Sequence, residues 1–199
     1  MQTIKIKSYA KLNLSLNVIK KKPQKLHIIE SLITFVNFYD TIYIKETKAS
    51  KHKIKFIGNF SKNITQNNTV NTLLNLLDEK KLLQEKKFEI KIIKNIPQKS
   101  GMGGGSMNAS SIIKFFLKKK IITLSKKNLN SIMETIGSDV PIGMNLKNTI
   151  LSKTGRLTVK EKKLGLYTLI VKPDFGCSTK IIYSKTKEKT KPMYNNPKK

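Results

Sequence analysis

Residues 96–108 read IPQKSGMGGGSMN, and glycine occupies 101, 103, 104 and 105 in a chain that has only 10 glycines. Glycine costs more backbone entropy than any other residue and packs nothing, so the cluster marks backbone that must come close to something. The alternating run KKFEIKIIKNI precedes it, and apolar residues at helical spacing follow it. A glycine turn opening a helix is an anion site, because its N–H groups reach a phosphate unobstructed and the helix N-terminus adds partial positive charge. Ser106 adds a hydroxyl that can meet phosphate or magnesium. The plainer reading is a flexible connection, against which stand the Ile-Pro entry and the strong helix behind it. The pattern is neither a Walker loop, since no Gly-Lys-Ser/Thr follows, nor a dinucleotide fingerprint, which wants glycine where Ser106 stands.

Two further positions can do chemistry. Asp139 lies in IGSDVP, after a helical pattern and before a proline, where a carboxylate can take a proton from a hydroxyl nucleophile; a turn or capping aspartate is the alternative. Lys11 and Asn13 share one face of the first alternating strand, a pair that either lines a cleft or lies on a solvated strand face.

The elements that must position these residues are legible. Leu12, Leu14, Leu16 and Val18 alternate with polar residues as a half-buried strand, with the leucines inward. Strand-like runs follow at IIESLITFVNF, DTIYIKE and HKIKFIG. Asn68 is placed to cap a helix carrying Val70, Leu73, Leu74 and Leu77. After the glycines, Ala109, Ile112, Ile113, Phe116 and Leu117 form a helix face ending at Lys118–Lys120; Ser125 caps a further helix with Leu129, Ile132, Met133 and Ile136, which Gly137 ends. NTILSK, RLTVKE and LYTLIVK read as short strands, and the tail KTKEKTKPMYNNPKK has no apolar period. Sheet first and helices later is an α+β order.

The 199 residues carry a net charge of +28. Such a charge raises nucleic acid as a partner, but Arg156 is the only arginine and the lysines are spread along the chain rather than gathered in a stripe. The positive field favours small anionic substrates instead. Cys177 is the only cysteine, so no internal disulfide forms, which fits a reducing compartment. The N-terminus lacks the continuous apolar centre of a signal peptide and no apolar run spans a bilayer, so a cytoplasmic location is expected.

Together, YAKLNLSLNV, LHIIESL, IPQKSGMGGGSMNAS and IGSDVP, in this order, resemble the GHMP family of small-molecule kinases, from about Ile6 to Tyr183. The lysine strand and histidine segment are similar to the branch that acts on a cytidine diphosphate-linked polyol in isoprenoid precursor biosynthesis. The resemblance implies an α+β fold, the GHMP-kinase N-terminal domain (ribosomal protein S5 domain 2-like), with a mixed sheet and helices on one side. Residues 1–150 would be the ATP-binding domain, 151–185 the start of a truncated substrate or C-terminal region, and 186–199 a disordered basic tail.

By the same resemblance, Pro97, Gln98, Lys99, Ser100, Gly101, Met102, Gly103, Gly104, Gly105, Ser106 and Met107 wrap the ATP phosphates, with Asn68 near the adenine. Asp139 is the catalytic base and Lys11 sits beside it; Asn13, His27, Thr179 and Tyr183 contact the substrate, His27 bonding the cytosine and Tyr183 stacking on it. ATP as substrate and Mg2+ are the implied cofactors, with no residue assigned as a metal ligand. Small molecules are the implied partners and a homodimer is allowed; no membrane or nucleic-acid partner is expected. The alternatives carried are a basic nucleic-acid-binding protein on a related fold and an inactive truncated GHMP kinase. Leu26 replaces an aromatic of the family's base clamp, Lys99 stands where the family has glycine, and the family continues into a second domain.

Overall fold

The computed structural model describes residues 2–20, 27–161, 165–173, 182, 185 and 189–194. Leu26, Cys177, Thr179 and Tyr183 lie outside the described residues. The chain divides into two compact units, one of residues 1–10, 37–98 and 103–144, the other of 11–36, 99–102 and 145–199. The division is interleaved along the chain. Two long strands contribute to both units: β1 (Ile4–Lys20) and β2 (Ile28–Thr47).

The first unit holds β3 (Lys53–Ile57), α1 (Thr69–Glu79), β4 (Lys87–Ile93), α2 (Gly104–Lys118), α3 (Lys126–Ile136) and the single-turn α4 (Val140–Gly143). β4 pairs antiparallel with β2, from Thr41↔Ile93 to Thr47↔Lys87, and parallel with β3. A parallel pair needs a long crossover, which α1 supplies. Period-two alternation turns Ile42, Ile44, Phe88, Ile90 and Ile92 to one face, where they pack with Leu73 and Leu77 of α1, Ile112 and Phe116 of α2 and Ile132 of α3. The opposite face carries Tyr43, whose ring lies 4.9 Å from Lys91 Nζ. The helices form as expected: Asn68 Oδ1 accepts the N–H groups of Val70 and Asn71, Ser125 Oγ accepts that of Asn128, and Gly137 ends α3.

The second unit adds β5 (Asn148–Leu151) and β6 (Leu157–Lys160), with β5 antiparallel to both β2 and β6. Its organising group is Glu30, fully buried, whose carboxylate accepts the N–H groups of Lys153 at 3.3 Å, Met193 at 2.7 Å and Tyr194 at 3.1 Å. Residues 189–194, read as part of an unstructured tail, also lie against β1: Thr190 donates to the Val18 carbonyl and the Tyr194 hydroxyl meets Ser15 Oγ at 2.8 Å. Two other expectations change. Leu14 is 44% exposed, so the leucines of β1 do not form one covered face. LYTLIVK is not a strand; Leu166, Tyr167, Leu169 and Val171 are exposed and outside any regular element.

Candidate active site

Strand β4 delivers the chain to the glycine segment over a buried polar cluster. Asp40, fully buried in the middle of β2, accepts the ammonium of Lys94, the N–H groups of Asn95 and Ile96 at 2.8 Å each, and Asn108 Nδ2 at 3.1 Å. The sequence reading assigned none of these groups. The available signal was Asp40 itself, the one carboxylate within the apolar run FVNFYDTIYI.

Beyond Ile96, Pro97 is buried and Gln98 is tied down, its Nε2 donating to the carbonyls of Phe60 at 3.0 Å and Lys62 at 2.6 Å. The backbone then turns through left-handed conformations at Lys99 (φ 54), Gly101 (φ 73) and Gly103 (φ 68). Lys99 thus adopts a conformation that glycine takes at less steric cost. Gly103 is the N-cap of α2 and offers no side chain to its N–H groups. The first helical bond is Met107 N–H to the Gly103 carbonyl, so the N–H groups of Gly104, Gly105 and Ser106 have no acceptor within the helix. Gly104 and Gly105 are needed for close approach. A Cβ at Gly104 would lie 3.1 Å from both Lys94 Nζ and Ile96 Cγ2, and one at Gly105 3.1 Å from Thr69 Oγ1, which donates to the Gly105 carbonyl at 2.7 Å. The segment is a shaped turn opening a helix, with free donors at the positive end of the helix dipole.

Asp139 is the half-buried N-cap residue of α4, and its carboxylate makes no capping bond. The capping role is therefore not the one it plays. Ser106 Oγ of the glycine turn lies 3.5 Å from where a Cβ on Gly137 would sit, so the turn that carries Asp139 packs against the first turn of α2. α4 is seated just as closely: a Cβ at Gly143 would fall 2.7 Å from Ser110 Oγ and 2.9 Å from Met107 Sδ. Gly103, Gly104, Gly105, Ser106, Met107 and Asp139 are thus gathered on α2 and its neighbours within one unit. Asn68 belongs to the same unit, with its Oδ1 capping α1 and its Nδ2 donating to the Thr65 carbonyl at 2.7 Å.

In the second unit, Lys11 is 5% exposed, which removes the solvated-face reading. Its Nζ reaches Asn13 Oδ1 at 3.5 Å, and its N–H donates to the carbonyl of Met102 at 3.2 Å. Asn13 Oδ1 also accepts from Ser31 Oγ at 3.1 Å. His27 is half-buried, one residue before β2. Lys11 and Asn13 are therefore brought together, joined by Lys99–Met102 of the glycine segment.

Among the described residues, no three His, Cys, Asp or Glu side chains gather as a metal site. No helix among them is long and apolar enough to cross a membrane.

Residues 68–146 match the family model for the GHMP kinases N terminal domain. The chain is 54% identical over 198 residues to the 4-diphosphocytidyl-2-C-methyl-D-erythritol kinase of Pelagibacter ubique (strain HTCC1062), covering all of this chain and 70% of that protein. It is 30% identical over 185 residues to the enzyme of the same name from Thermoanaerobacter pseudethanolicus, covering 93% of this chain and 63% of the relative. The chain thus spans about two thirds of the length of the curated relatives it matches. A crystal structure of 4-(cytidine 5'-diphospho)-2C-methyl-D-erythritol kinase shares the fold, with a TM-score of 0.62 at 20% identity, over 79% of this chain and 55% of that one.

Proposed function

Since the chain belongs to the 4-diphosphocytidyl-2-C-methyl-D-erythritol kinase family of GHMP kinases, we propose that it serves ATP-dependent phosphorylation of the 2-hydroxyl of 4-diphosphocytidyl-2-C-methyl-D-erythritol, a step toward isoprenoid precursors. The observation that carries this reading is the glycine turn, which leaves backbone donors of Gly104, Gly105 and Ser106 without helical acceptors at the N-terminus of α2. Phosphoryl transfer asks a protein mainly for positioning and charge neutralisation, and that turn supplies both for a triphosphate.

In the proposed step, the substrate hydroxyl oxygen attacks the γ-phosphorus, the bond to the β–γ bridging oxygen breaks, and ADP leaves. The hydroxyl proton goes to the Asp139 carboxylate, which is not engaged in capping. Lys11 supplies positive charge against the developing negative charge. Asn13 and His27 hold the substrate, His27 through the cytosine; Thr179 and Tyr183 complete that contact set by resemblance. Asn68 acts near the adenine through the segment that its capping bonds fix. Magnesium fits as a phosphate-bound ion rather than one caged by protein, given the absence of an acidic cluster among the described residues and the Ser106 hydroxyl in the first turn of α2. When bound, it would neutralise phosphate charge.

The test is single-turnover ADP release by this chain with three acceptors offered separately: the cytidyl-linked polyol, homoserine and mevalonate. Release with the first alone is expected. Release only with another acceptor reassigns the substrate, and ATP binding without release from any acceptor marks an inactive piece. Tight, salt-sensitive RNA binding without ATP binding would overturn the kinase reading.

A further inference from the structure

We propose that Asp40 is the positioning residue of the phosphate loop, a single buried carboxylate that holds the loop at both of its ends. One oxygen accepts the N–H groups of Asn95 and Ile96; the other accepts Lys94 Nζ and Asn108 Nδ2. Lys94, Asn95 and Ile96 precede the loop, and Asn108 follows it on α2. The clamp therefore closes the span 97–107 as a ring whose ends cannot separate without breaking bonds to one group. Asp40 is 0% exposed, Lys94 4% and Asn108 1%, so bulk water does not compete for these bonds.

Two side observations fit a clamp better than a chance ion pair. A carboxylate only accepts, so Asn108 must turn its amide nitrogen to Asp40; its Oδ1 is left buried without a hydrogen-bond partner. An orphaned buried acceptor is unfavourable, and it is tolerated where the other end of the amide is needed. Lys94 Nζ lies under the first turn of α2, 3.1 Å from where a Cβ at Gly104 would sit. A cation at a helix N-terminus is unfavourable, and Asp40 offsets it. Buried ion pairs are weak contributors to stability and can often be replaced by apolar residues, so stability alone is a poor reason for this arrangement.

The effect on nucleotide affinity rests on the kinase reading; the clamp itself does not. The test compares the 199-residue chain with Asp40→Asn, Asn108→Ala and a core control, Ile44→Val. Asn108→Ala removes only the far end of the clamp, which keeps the test usable if Asp40→Asn does not fold. Hydrogen exchange is followed across 97–107, and ATP and adenosine affinities are measured by calorimetry. Exchange across the loop should rise in Asn108→Ala and not in Ile44→Val. ATP affinity should fall by about 10–100-fold, the range for removing supports behind metal-ligating groups, with adenosine affinity unchanged. Loop exchange and ATP affinity both unchanged in the folded variants would overturn the clamp. Faster exchange with unchanged ATP affinity would reduce Asp40 to a structural group and overturn its positioning role. A parent chain that binds no ATP, yet shows faster loop exchange in Asn108→Ala, would keep the clamp and sink the kinase reading.

Discussion

The proposed chemistry puts separate demands on Asp139 and on the glycines. Asp139→Asn keeps the size and hydrogen bonding of the side chain but cannot accept a proton, and loss of a general base costs about 10²–10⁴-fold in rate. Single-turnover assays should show that loss, while calorimetry shows ATP affinity unchanged, because the donors of Gly104–Ser106 are backbone groups. Turnover close to the parent value would return Asp139 to a turn role. Lys11→Met should slow the same step and also weaken binding of the anionic substrate, and the double variant should fall far short of additivity, as groups acting as a unit do. The glycines of the cluster answer two different demands. Gly101 and Gly103 take left-handed backbone, whereas Gly104 and Gly105 lie against Lys94, Ile96 and Thr69.

Seating α4 on α2 is an element-level requirement for Asp139. Gly143→Ala would put a methyl group within 3 Å of Ser110 and Met107, and overpacking of this kind costs about 1–3 kcal/mol. A lowered melting temperature with reduced turnover is expected; a fall in stability alone would mean that α4 moves without carrying Asp139. His52, one residue before β3, joins α1 and β4 in another way. Its Nδ1 accepts the N–H of Phe88 on β4, and its Nε2 lies 3.1 Å from an oxygen of Asp78 on α1, which also binds Lys87 Nζ at 2.6 Å. Burial lowers the His52 pKa, with the Asp78 carboxylate only partly offsetting it. The unfolded chain therefore binds a proton that the folded chain resists, and this stability, present above the unfolded value of about 6.5, is lost as pH falls through the lower folded value. Melting curves between about pH 7 and pH 5 should show that loss, and His52→Asn should flatten it.

Elements such as these were readable where local chemistry decides them: the caps at Asn68 and Ser125, the stop at Gly137 and the glycine turn are all local signals. Long-range burial was not readable. Asp40 made one 20-residue strand look like two, because an aspartate in an apolar run reads as a turn unless its distant partners are known. The burial of Lys11 was hidden for the same reason, in a chain where lysine is usually surface.

At the scale of the molecule, the run 166–171 opposes the high net charge. Leu166 is 69% exposed, Leu169 88% and Val171 80%, in a β-prone, uncharged stretch of the kind that templates association. A net charge of +28 keeps copies apart through a field that salt screens. Light scattering should therefore detect self-association of this chain rising with salt, accompanied by binding of a hydrophobic dye, and Tyr167→Lys with Val171→Lys should suppress both. A chain that stays monomeric and dye-silent at high salt would contradict this. The clamp on the phosphate loop also has a consequence in time. Asp40 leaves the ribosome 68 residues ahead of Asn108, and at about 5–20 residues per second that is a wait of seconds. Through that interval the nascent chain carries a carboxylate meant for the interior among the isoleucines of β2 and must keep it solvated. Bound nucleotide can assist folding only from the moment the second end of the loop has been synthesised.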